Sequence, residues 1–90
     1  MSRIRWTADA AHQLAAIVKH VREDNPETAR RVAQSILKAI GKLEAFPSLG
    51  RPGEKEGTRE LVSAPYVVVY RLKEDVAQIL YTWHGAQDWR

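Results

Sequence analysis

The spacing of apolar positions along this chain changes twice. Arg3-Ile4-Arg5-Trp6 alternates, which predicts a short first strand that joins a sheet. From Ala8 to about residue 23 the apolar positions Ala11, Leu14, Ala15, Val18 and Val21 follow the i, i+3, i+4, i+7 rhythm of an amphipathic helix. Thr7 is placed to cap it, and Asp9 falls in its first turn beside the positive end of the helix dipole. Asp24-Asn25 breaks the pattern. Asn25-Pro26-Glu27 then begins a second helix, with Asn as cap, Pro at the first position and an acid in the first turn. Its expected span is 26 to about 45, with Ala29, Val32, Ala33, Ile36, Ile40 and Leu43 on the inner side. Arg31, Ser35, Lys38 and Lys42 line the opposite side, with Arg30 and Gln34 at its edge. No acid lies between Thr28 and Leu43, so this side reads as a solvated face or as a weak docking surface for something acidic. Phe46-Pro47 should end the helix, because proline drives the residue before it out of helical dihedrals.

A loop over 48–57 follows, with Gly50, Gly53, Gly57 and Pro52. Loops of that length in a small domain are often functional or mobile. Beyond it the period falls to two. Strands are predicted over 58–62, 66–72 and 76–84, rich in Val, Ile, Tyr and Thr. Pro65 separates the first two, and Lys73-Glu74-Asp75 turns the chain between the last two, so the three should form an antiparallel meander. The expected fold is α+β in the order β-α-α-β-β-β. A helical hairpin packs on one face of a small, mainly antiparallel sheet, and residues 1–90 make one domain.

The middle strand carries the first functional hint. Tyr66, Val68 and Tyr70 share one side and Val67, Val69 and Arg71 the other, so apolar residues occupy both. The helices can cover only one side. The chain's own tail, a second copy or a partner must cover the other.

Composition narrows the classes. The apolar share of 44% and charged share of 28% suit a soluble globular domain and exclude a disordered chain. No cysteine is present, which fits a reducing compartment, and no apolar run is long enough to span a membrane. A cytoplasmic location is expected. The net charge of +3 is unevenly placed: residues 1–45 hold eight Lys/Arg against five Asp/Glu, and residues 46–90 hold six of each. That excess on the helical half is short of a strong nucleic-acid signature.

Catalytic patterns are thin. The three loop glycines lack the spacing and the lysine of a phosphate-binding loop. His12 and His20 lie eight apart on one helix and His84 lies in a strand, so no metal site and no cofactor are expected. Metal-free RNA cleavage needs a base, an acid and cations for the phosphate, for which Arg59, Glu60, Arg71 and His84 are the candidates. Arg59 and Glu60 are strand neighbours and must face opposite ways. His84 reads first as a strand-end histidine hydrogen-bonded at the sheet rim. In the closing segment, Trp83 and Trp89 either fasten the tail to the core or anchor a partner.

Taken together these pieces resemble the RelE/ParE toxin superfamily of type II toxin–antitoxin modules. The likeness runs through Ile4-Arg5-Trp6-Thr7, Asn25-Pro26, the apolar stripe from Ala29 to Leu43 and Phe46-Pro47-Ser48-Leu49-Gly50-Arg51-Pro52-Gly53. It continues in Gly57-Thr58-Arg59-Glu60-Leu61, Pro65-Tyr66-Val67-Val68-Val69-Tyr70-Arg71 and His84. The resemblance implies a toxin that inhibits growth and serves plasmid stabilisation, held in a hetero-oligomer by a small ParD-like or RelB-like antitoxin. RelE-like members cut messenger RNA on the ribosome; ParE-like members poison DNA gyrase. The RelE-like pattern places an arginine after the middle-strand tyrosine, where this chain has Val67, and uses basic residues across the sheet and tail, where it offers Arg59, Arg71 and Arg90. The ParE-like branch is therefore favoured, with the ribosome-dependent RNase and a non-toxic binding module as alternatives. The expected partner-binding residues are Val67, Val69, Trp83, Trp89 and Arg90.

Overall fold

Both helix starts are fixed by the caps their sequence supplies. In the computed structural model, which describes residues 2–85, Thr7 accepts a hydrogen bond from the Ala10 amide at 3.1 Å and opens α1, Ala8–Asp24. Asn25 closes α1 and opens α2, Pro26–Gly41: its amide donates to the Val21 carbonyl while its side-chain oxygen accepts from the Thr28 amide at 3.1 Å. One residue thus serves both helix ends and makes the hairpin tight. The second helix stops earlier than predicted, at Gly41, and a short 3-10 turn, Lys42–Glu44, carries the chain on.

Among the described residues the sheet has five strands: β1 Arg3–Trp6, β2 Arg51–Pro52, β3 Thr58–Ser63, β4 Tyr66–Lys73 and β5 Val76–His84. Their order is β1-β5-β4-β3-β2. The meander β3-β4-β5 is antiparallel as predicted, and β1 lies parallel to β5 with Arg3 opposite Val76 and Trp6 opposite Ile79. The loop predicted over 48–57 contains the extra two-residue strand β2, whose Arg51 and Pro52 lie opposite Glu60 and Arg59. Two bonds pin the end of β1: the Thr7 amide and hydroxyl both donate to the Ile79 carbonyl, at 3.2 and 2.9 Å.

The two helices cover one face. Ile36, Ile40 and Leu43 meet Tyr66, Val68, Tyr70, Ala77 and Ile79 in one buried cluster. Burying such side chains contributes about 1.5–3 kcal/mol each. The stripe predicted for α2 is therefore the inner one, but Ser35, expected on the opposite side, has its hydroxyl 3.0 Å from that of Ser63 on β3. The stripe predicted for α1 needs correction. Ala10, Leu14 and Ile17 turn toward the sheet, whereas Ala11 and Ala15 are exposed. The helix is apolar on two sides, and alanine gives too little contrast for sequence spacing to choose between them.

Candidate functional site

The residues proposed for RNA cleavage do not converge. Arg59 lies opposite Tyr70 and Arg71 opposite Thr58, and their side chains leave opposite faces of the sheet. The Arg59 guanidinium donates to the Gly50 carbonyl at 2.6 Å and the Ser48 carbonyl at 3.3 Å, on the helix side. His84 lies opposite Tyr66, with the rings 5.1 Å apart and edge-on. Tyr66 and Tyr70 are four residues apart on β4, so His84 and Arg59 are separated by about 13 Å along the sheet. Glu60 faces away from Arg59, as expected, and accepts from Arg51 at 3.0 Å.

Arg59 instead holds a loop. The Tyr70 hydroxyl accepts from the Gly50 amide at 2.9 Å and donates to the Pro47 carbonyl at 2.8 Å, from a ring with no exposed surface. Only glycine fits at 50, because a Cβ there would meet Tyr70 Cε1 at 2.7 Å and the Glu60 carbonyl at 2.8 Å. The segment 47–50, at the start of the loop expected to be functional or mobile, is clamped from two sides.

Val67 and Val69 are only 5% and 3% exposed within the chain itself, so no partner is needed to bury them. Trp83 is half-buried opposite Val67. Trp89 and Arg90 lie outside the described residues.

The open apolar surface is elsewhere. Trp6 of β1, Ala11, Leu14, Ala15 and Val18 of α1, and Leu37 of α2 line a groove of about 700 Å³, with Lys19 and Arg22 at its rim. Leu37 is 50% exposed although it sits in the middle of α2. Sequence spacing marked the α1 residues of this groove as one apolar side of an amphipathic helix without saying what that side meets. Trp6 and Leu37 were missed because three elements must assemble before they meet; the only signal was the second apolar side of α1. Such a trough suits an amphipathic helix whose apolar face enters while acidic flanks meet the rim cations. Among the described residues no group of His, Asp or Glu could hold a metal ion, and no helix is long and apolar enough to cross a membrane.

Comparison with known proteins accords with this architecture. A Sinorhizobium fredii protein named "Putative toxin Y4kP" is 43% identical over 89 residues, covering 97% of this chain and 92% of the relative. Toxin RelE2 of Caulobacter vibrioides is 28% identical over 87 residues, covering 97% and 99%. A solved structure of the chromosomal ParDE toxin–antitoxin system of P. aeruginosa superposes with a TM-score of 0.79 at 34% identity, over 93% of this chain and 96% of that one. The model of the ParE toxin of the type II toxin–antitoxin system parDE matches residues 4–89, and the chain belongs to that family of toxins.

Proposed function

We propose that this toxin inhibits DNA gyrase by binding it, does not cleave RNA, and is neutralised by a cognate antitoxin whose amphipathic helix fills the groove on α1. The separation of the cleavage candidates Arg59, Arg71 and His84 carries the first part. A phosphoryl transfer needs positive groups gathered on one developing charge, and losing one such group costs about a hundred- to a thousand-fold in rate. Here Arg59 is bound to loop carbonyls, Arg71 leaves the opposite face, and Val67 is buried where an RNase of this fold would want a cation. His84 supplies one proton-transfer role, and the reaction needs two. What remains is a protein-binding inhibitor working in the cytoplasm, where gyrase is.

The antitoxin reading rests on the groove and on the similarity to a toxin from a ParDE system. A disordered antitoxin segment that folds on binding could bury the ~1,600 Å² typical of a stable interface while ordering a helix along Ala11, Ala15 and Val18. The mechanism is tested with purified toxin in two assays, gyrase supercoiling with cleaved-complex formation, and messenger cleavage on translating ribosomes, each with His84→Ala as control. Gyrase inhibition without messenger cleavage is expected. Ribosome-dependent cleavage that vanishes in His84→Ala, with gyrase unaffected, would replace this reading with the enzyme.

A further inference from the structure

The sheet register gathers charges that the sequence scatters. On β5, Gln78 lies between Arg5 of β1 and Arg71 of β4, and Val76 lies between Arg3 and Lys73. Residues opposite one another in a sheet share a face, so Arg3, Arg5, Arg71 and Lys73 all project from the side the helices do not cover. All four are exposed, and among the described residues none is in an ion pair. The acids nearest in sequence, Glu74 and Asp75, sit in the turn beyond the Arg3–Val76–Lys73 row. Glu60, the diagonal neighbour of Arg71 on the same face, is already paired with Arg51 at 3.0 Å.

We propose that this four-cation quadrant of the open sheet face binds the phosphodiester backbone of duplex DNA. Along a strand, alternate residues are about 6.7 Å apart, and strands two apart are separated by about 9.6 Å. The array is therefore a flat rectangle of roughly 7 by 10 Å, too wide for a single small anion and suited to a run of phosphates. Three of the four cations are arginines, whose planar guanidinium matches a phosphate bidentately. The two residues between them, Gln78 and Val76, offer no ring for a base to stack on, whereas binding of single strands relies on such stacking. On the same face Tyr81 and Trp83 are the next positions along β5, opposite Val69 and Val67 and just outside the quadrant. Within the quadrant contact is confined to the backbone, and the duplex is the form that presents its phosphates without base stacking. This inference is independent of the gyrase reading, since binding to bare DNA is measured with no enzyme present.

The test is fluorescence anisotropy of the full chain with a labelled duplex of about 20 bp, titrated from about 50 to 200 mM salt. Four phosphate contacts predict a slope of log K against log salt near −3.6, at about −0.9 per contact. The double variant Arg5→Gln/Arg71→Gln should bring it to about −1.8, while Arg5→Lys/Arg71→Lys keeps it near the parent value. Arg31→Gln/Lys38→Gln on α2, also exposed, should leave it unchanged. Thermal melts of each variant check that the fold is intact, and the Lys double variant separates loss of charge from loss of structure. The proposal is overturned by absence of duplex binding at the lowest salt or by an unchanged slope in the Gln double variant. Tighter binding to single-stranded DNA or RNA of the same length, or to a polyglutamate chain, would overturn it too.

Discussion

Removing one oxygen atom tests whether the clamp on 47–50 holds the structure together. Tyr70→Phe deletes a hydroxyl that accepts from the Gly50 amide and donates to the Pro47 carbonyl. Gly50 is buried, and an amide left there without an acceptor costs about 1–3 kcal/mol. Pro47 is half-exposed, so water recovers its carbonyl and the second loss is smaller. The expected total is about 2 kcal/mol, a sizeable part of the ~5–13 kcal/mol that stabilises a domain this long. With an unfolding entropy of about 2.1 cal/mol/K per residue, that loss lowers Tm by about 10 °C. Urea titration and thermal melting measure it, and hydrogen exchange localises it, because the Gly50 amide should lose protection. Tyr81→Phe, at a surface-exposed ring, serves as control and should cost under about 0.5 kcal/mol. A Tyr70→Phe loss below about 0.5 kcal/mol, with Gly50 still protected, would refute the clamp.

Two further outcomes are expected. Ile36→Ala should cost about 2–5 kcal/mol in denaturant, against under about 0.5 for the exposed Lys38→Ala; equal losses would mean that the faces of α2 are misassigned. Ala15→Glu, at an exposed position in the groove, should leave Tm within about 3 °C and weaken antitoxin binding at least about tenfold by calorimetry, and unchanged affinity would place the antitoxin elsewhere.

Strong periodicity and explicit caps were legible in the sequence. Thr7, Asn25 and the alternating runs of β3, β4 and β5 set their own local structure, and the sequence reading placed them correctly to within a residue. Arg51-Pro52 was not legible as a strand, because two residues have no period and only the opposing Arg59 and Glu60 give them a place. The inner side of α1 was ambiguous for a related reason: with alanine at 10, 11, 15 and 16, the decision falls to the sheet beneath. The groove and the basic quadrant draw on distant stretches, Trp6 with Leu37 and Arg5 with Arg71, and only the folded register brings these together. Counting charge by halves of the chain concealed the quadrant, since two of its members fall in each half.

The placement of β5 between β1 and β4 also bears on how the toxin is made. β1 is synthesised first but has no partner until β5 exists, and the Thr7 and Gln13 side chains that tie α1 to the sheet bond to Ile79 and Thr82. A nascent chain that has reached only Lys73 can form the helical hairpin and pair β3 with β4, because those contacts are local. It cannot close the sheet, and Arg3 and Arg5 have no Arg71 and Lys73 held alongside them. At ordinary elongation rates of about 5–20 residues per second, the stretch between β1 and β5 takes several seconds to make, and β1 waits for its partner throughout. Both surfaces that would engage partners thus mature together, once β5 has joined β1 to the meander.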